Sequence, residues 1–138
     1  MDKASYQRVQ QSWQEITPQA DAFVALLYHK LFMQHPELES LFVRNMGMQG
    51  RKLMSMYSTA IEYLDDPELM LPPLLAAGQR HAQYGVSASD YNKVNTVLLT
   101  TLQEFLGERF DENLKSDWEH ACAVIQKVMV SATKHASP

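Results

Sequence analysis

The sequence predicts an all-α fold, and three observations predict it. Apolar residues recur at three- and four-residue intervals along nearly the whole chain. Strand-like alternation is absent, and prolines, glycines and short polar residues fall where one stripe gives way to the next. At 138 residues the chain is long enough to bury a core and short enough to be one domain. The expected unit is therefore a single domain over residues 1–138 with about seven to eight helices. No internal repeat, linker or low-complexity stretch interrupts it.

Each element has its own signal. Tyr6, Val9, Trp13 and Ile16 form a first helical stripe. Thr17-Pro18 then reads as an N-cap followed by proline at the first helical position. The helix it opens carries Phe23, Leu27, Tyr28, Leu31 and Phe32 and should end before Pro36, because the residue before a proline resists helical angles. A short helical turn from Pro36 to Leu41 leads to Phe42 and a loop around Arg44-Asn45-Met46-Gly47. Leu53, Tyr57, Ala60, Ile61 and Leu64 make the next stripe. Asp65-Asp66 is explained by capping, with Asp66-Pro67 starting another short element. Pro72-Pro73 opens the helix that holds His81, and Gly85 ends it. Ser87 to Asp90 caps a helix bearing Tyr91, Val94, Leu98, Leu102 and Phe105, which Gly107 stops. Asp111 caps the last helix, whose inner face is Leu114, Trp118, Ala121, Ile125, Val128 and Ala132.

Composition excludes several classes of function. Hydrophobic residues make up 46% and charged residues 20%, as in soluble globular proteins. A net charge of −4 argues against a nucleic-acid or anionic-membrane partner, which would want a basic face. No apolar run approaches bilayer length, and the first residues carry no apolar signal core, so a cytoplasmic protein is expected. Cys122 is the only cysteine, which rules out an internal disulfide, a thiolate zinc site and covalent c-type haem attachment. The eight methionines read as soft core filler.

The residue that stands out is His81. On a helix its neighbours on the same face are Ala77 and Gly78, with Leu74 one turn further back. The imidazole thus stands alone on a smooth apolar strip, on which a flat hydrophobic ring with a central metal can lie. Haem iron held by a proximal histidine is the obvious candidate. A packed core histidine near a helix end is the plain alternative.

A second polar group sits in an apolar setting. Tyr28 is flanked by Leu27, Leu31 and Phe32, and a buried phenol hydroxyl must find a partner or lose its solvation. Gln49 precedes Leu53 by four residues, so both point the same way. Together these offer a hydroxyl donor, an amide donor and a dry wall. Without a haem, a tyrosine bonded to a carbonyl and a solvated glutamine explain them equally well.

These residues, in this order, resemble the bacterial single-domain globins and the globin domain of flavohaemoglobins. The resemblance covers nearly the whole chain. It rests on Trp13, on Tyr28 and Phe32, and on Pro36 six residues before Phe42. It continues through Gln49 with Leu53, His81 with Tyr84-Gly85-Val86, and Tyr91 ten residues after His81. It implies a globin fold around a haem b pocket (iron protoporphyrin IX), with His81 as the iron ligand. Phe42 would wedge against the porphyrin, and Tyr28, Gln49 and Leu53 would form the distal pocket. Phe32, Ala77, Tyr84, Val86, Tyr91 and Val94 would contact the cofactor. Lys52 and Arg80, beside Leu53 and His81 in sequence, are placed to reach haem propionates, although solvated charges would look the same.

The function implied is reversible, high-affinity oxygen binding for storage, delivery, transport or scavenging, with nitric oxide and carbon monoxide as further ligands. Donors aimed at a ligand that gains partial negative charge stabilise it. The alternative is a nitric oxide dioxygenase, a detoxifying enzyme. The chain carries no glycine-rich dinucleotide fingerprint, so that activity would need a separate reductase. A haemless helical regulatory module is a third possibility. In flavohaemoglobins the proximal histidine is tied to a tyrosine and a glutamate of the last helix. Tyr91 matches the tyrosine, but Thr133 falls at the glutamate position, and a neutral threonine raises imidazole basicity less. That favours reversible binding over redox turnover. His29, His35, His120 and His135 have no partner at metal-ligand spacing and are expected at the surface or rim. Met46 and Met48 fall near the distal entrance and read as loop or core. The chain is expected to be a monomer or a dimer.

Overall fold

A computed structural model describes residues 2–42 and 46–132, the side chains of residues 46–49 excepted. Among the described residues there are six α-helices and no strand: α1 (Lys3–Ile16), α2 (Ala20–Gln34), α3 (Met46–Glu62), α4 (Pro67–Gln83), α5 (Ala88–Leu106) and α6 (Glu112–Ser131). Short 3₁₀ segments follow α1 (Thr17–Gln19), α2 (Pro36–Phe42) and α5 (Gly107–Arg109). The all-α expectation is met, with six full helices in place of seven or eight.

Local chemistry sets most of the ends. Asp2, Asp66 and Asp111 cap α1, α4 and α6 by accepting the backbone N–H of Ser5, Leu69 and Leu114. Ser87 and Asp90 form a reciprocal capping box on α5, with hydrogen bonds of 2.9 and 3.2 Å. Gly85 at φ +83° and Gly107 at φ +60° take the left-handed conformation beyond α4 and at the end of α5.

Three expectations need correction. Thr17 does not cap α2: its hydroxyl donates backwards to the Gln14 carbonyl, and the 3₁₀ turn over Thr17–Gln19 delays α2 to Ala20. Of the loop expected around residues 44–47, Met46 and Gly47 already belong to α3. Residues 43–45 lie outside the described residues. Pro72 and Pro73 do not open a helix but sit inside α4, which runs unbroken from Pro67. Proline removes a helix donor, yet Met70 and Leu74 bury the opposite face of the same turns, and that packing carries the helix through.

The core is continuous across all six helices. α4 packs on α6, α2 on α5, and α1 on α6. Trp13 of α1 is its hub, lying 5.9 Å between ring centroids from each of Phe23, Tyr57 and Trp118. Both indole N–H groups are satisfied, Trp13 by the Ser58 hydroxyl at 2.9 Å and Trp118 by the Ser12 hydroxyl at 2.8 Å. Buried Asp117 of α6 takes two hydrogen bonds from the Arg8 guanidinium, at 2.6 and 3.2 Å, which tie α1 to α6. Where α4 crosses α6 there is no room for a side chain. A Cβ on Gly78 would stand 2.4 Å from the Met129 carbonyl oxygen. No helix among the described residues is long and apolar enough to cross a membrane.

Candidate functional site

Between α3, α4, α5 and α6, with the Pro36–Phe42 segment as its floor, lies a cleft of about 260 Å³. It is lined by Phe42, Lys52, Leu53, Ala77, Arg80, His81, Tyr84, Val86, Tyr91 and Val94, ten of the residues singled out from the sequence. Helical spacing delivers them. Ala77, Arg80, His81 and Tyr84 share one face of α4, and Tyr91 and Val94 lie on the inner face of α5. The 3₁₀ turn after α2 turns Leu38, Leu41 and Phe42 inward.

His81 occupies the last turn of α4. Its Nδ1 lies 2.5 Å from the Ala77 carbonyl oxygen. A carbonyl can only accept, so Nδ1 carries the proton and Nε2 keeps its lone pair. That is the tautomer of a metal-ligating imidazole whose second nitrogen is oriented by the backbone. The turn is locked from behind as well, since the backbone N–H groups of Tyr84 and Val86 donate to the His81 carbonyl at 3.1 and 3.0 Å. Tyr91 faces the imidazole at 6.1 Å between ring centroids.

Two buried hydroxyls, those of Tyr28 and Tyr91, have no hydrogen-bond partner among the described residues. Burial pushes both phenols up to about 12, so each stays a neutral donor at physiological pH. Natural proteins rarely leave such groups unmatched. Tyr28 does not line the cleft. Its ring stacks on Phe32 at 5.6 Å and leans on Phe42 at 5.5 Å, so it meets the cleft through Phe42. Phe32 likewise packs behind Phe42, at 5.7 Å. α3 presses onto this aromatic cluster because Gly50 has no side chain. A Cβ there would lie 2.7 Å from Val24 and 3.8 Å from the Tyr28 ring.

Lys52, Arg80 and Tyr84 are exposed and stand where the cleft reaches solvent, two cations at the mouth of an apolar hole. A flat apolar group with acidic substituents and a metal wanting one nitrogen fits this donor set: ligand on α4, dry walls, two spare hydroxyls and cations outside. Among the described residues no cluster of three histidine, cysteine or acidic side chains offers a bare metal ion a site of its own. His29 and His120 are exposed, and half-buried His35 lies 3.7 Å from Glu37. The side chains of Met46, Met48 and Gln49, and all of Thr133 and His135, lie outside the described residues.

Sequence reasoning missed part of the lining. Tyr57, Asn95, Gln126, Ile125 and Met129 all face the cleft. Tyr57 stands four residues after Leu53 and Asn95 four after Tyr91, so helical spacing was signal enough for both. Tyr57 is buried, and its phenol is pushed up by desolvation and by the neighbouring Cys122 and Tyr91. Gln126 gave no such signal, because its partners are on another helix.

The family model for globins matches residues 25–129 of this chain. Similar relatives include a flavohemoprotein of Halalkalibacterium halodurans, 26% identical over 117 residues, which cover 83% of this chain and 28% of the relative. A flavohemoprotein of Bacillus cereus is 32% identical over 107 residues, 75% of this chain and 26% of the relative. One of Bordetella parapertussis is 27% identical over 113 residues, covering 80% and 28%. The chain thus spans about a quarter of the length of these relatives.

Proposed function

The chain belongs to the globin family, and from that premise we propose that it is a single globin domain that binds oxygen reversibly and with high affinity on haem b. The observation that carries the reading is the His81 imidazole, its Nδ1–H on the Ala77 carbonyl and its Nε2 lone pair free in the wall of an apolar cleft. Bound there, haem supplies a ferrous iron that takes one protein nitrogen and accepts a diatomic gas such as oxygen, nitric oxide or carbon monoxide.

The chain's own residues do the rest. The Ala77 carbonyl fixes the plane of the imidazole. Ala77, Val86 and Val94, which line the cleft, would give the cofactor a dry bed, and Phe42 would pack against it. Lys52 and Arg80 at the mouth would hold the propionates. Leu53 lines the cleft as a dry wall. The Tyr28 hydroxyl behind Phe42, unpartnered among the described residues, would with Gln49 donate to a bound gas. A donor that stays protonated to about pH 12 does not ionise in service. A hydrogen bond to a ligand that gains negative charge contributes about 1.5–3 kcal/mol, which slows its loss by roughly 10- to 150-fold. A backbone carbonyl behind the imidazole raises its basicity less than a carboxylate would. This favours holding oxygen over consuming it.

A second reading is supported by the relatives, which are named flavohemoproteins. In it, the same pocket would bring oxygen and nitric oxide together to give nitrate, with one electron per turnover supplied by a separate reductase. Sustained turnover with a reductase, as against a single reaction per protein, separates the two.

The test of the pocket is His81→Leu. The wild-type protein loaded with haem should show a Soret band and take up oxygen and carbon monoxide, and the variant should lose both. A variant that keeps its pigment and gas uptake overturns the reading.

A further inference from the structure

On its α5–α6 side the cleft is lined by Tyr91, Val94, Asn95, Ile125, Gln126 and Met129. A separate groove of about 480 Å³ runs along the surface between α5 and α6, lined by Asn92, Ala123 and Lys127 among others. Among the described residues, one side chain lines both the groove and the cleft, that of Gln126. Its carboxamide is held at both ends by α5. The Gln126 Oε1 accepts from Asn95 Nδ2 at 2.7 Å, and the Gln126 Nε2 donates to Asn92 Oδ1 at 2.8 Å. Asn92 and Asn95 are three apart and so share a face of α5, which is what lets one amide from α6 bridge them. Asn92 stands on the groove side and Asn95 on the cleft side.

We infer that Gln126 is a latch on a side passage through which small uncharged molecules of diatomic size move between the surface groove and the His81 side of the cleft. Opening it needs one rotamer change and no movement of either helix, because every bond that holds it is made by a side chain. Gln126 is half-buried, so its amide is within reach of solvent on the groove side. The passage is selective for neutral species. Beyond the amides the wall is Val94, Ile125 and Met129, and an ion would shed its water there without compensation. Two neutral hydrogen bonds bias the latch towards closed by roughly five- to 150-fold, enough to keep it shut on average and open often.

The inference rests on the haem-pocket reading for its role but not for its existence, and the experiment separates the two. Crystals of the haem-loaded protein are pressurised with xenon, and gas escape is followed by flash photolysis of the carbon monoxide adduct. Wild type should show xenon on the Tyr91 and Asn95 side of the cleft. Gln126→Ala removes the latch, and should keep the xenon and speed escape by roughly fivefold or more. Gln126→Trp plugs the gap, and should lose the xenon and slow escape. A variant effect that came only from loosened packing would move both substitutions the same way, and that result overturns the passage. So does carbon monoxide uptake with no xenon on the His81 side and unchanged escape in both variants. Xenon in the chamber of a protein that takes up no carbon monoxide upholds the passage and sinks the oxygen-binding role.

Discussion

Tyr28 has its hydroxyl buried among Phe32, Phe42 and the α2–α3 crossing, with no acceptor among the described residues. Leaving such a group unmatched costs about 1–3 kcal/mol. A residue kept only for packing would be phenylalanine. Tyr28→Phe should therefore raise the stability of the gas-free protein by about 1 kcal/mol or more while speeding oxygen release by roughly 10- to 150-fold. Thermal melting and stopped-flow oxygen displacement on the same samples check the two halves. Unchanged release with raised stability would remove Tyr28 from the pocket's function. Both His81 and Tyr28 were legible as isolated polar groups within apolar helical faces, a pattern that spacing alone displays. The remote position of Phe32, behind Phe42, was not legible, because it follows from the 3₁₀ turn that swings Phe42 across it.

At the scale of the element, α4 shows where local rules hold and where they yield. Its cap at Asp66 and its end before Gly85 were readable, because caps and left-handed glycines act within one turn, although in sequence Asp66 reads as opening a separate short element. Its continuity through Pro72 and Pro73 was not, because propensity gave way to the packing of Met70, Leu74, Ala77 and Gly78. Gly78 sets how closely α4 approaches α6. Gly78→Ala should destabilise the fold by about 1–3 kcal/mol, because the Met129 carbonyl and the Ala132 side chain cannot move aside without shifting a helix. Urea unfolding measures it. A midpoint equal to wild type would mean the crossing is looser than its geometry indicates. Since Gly78 precedes His81 by three residues, the same substitution should weaken haem retention.

For the whole molecule, four buried weak acids share one direction of shift. Desolvation pushes Tyr28, Tyr91 and Cys122 up to about 12, and Tyr57 up as well. The unfolded thiol and phenols titrate from the ordinary values of 9.0 and 10.0. Above these the unfolded chain releases protons that the folded chain keeps, so folding loses ground as pH rises. Stability should be intact below about pH 9 and fall steadily towards pH 12. Denaturant midpoints across that range test it, and Tyr57→Phe should make the decline shallower. A flat alkaline limb would contradict the burial of these groups. The helical class was legible from periodicity over the whole chain, since every helix must hide one face. The joining of Gln126 to Asn92 and Asn95 was not, because contacts 34 and 31 residues apart leave no periodic trace.

The hydrogen bond from His81 to Ala77 is made within one turn of one helix. The aim of the His81 Nε2 is thus inherited from helix geometry and owes nothing to the opposite wall. On the proposed reading, substitutions among Tyr28, Gln49 and Leu53 would alter gas preference while the anchor at His81 stays put. Such a scaffold can acquire new chemistry on one side at no risk to the other.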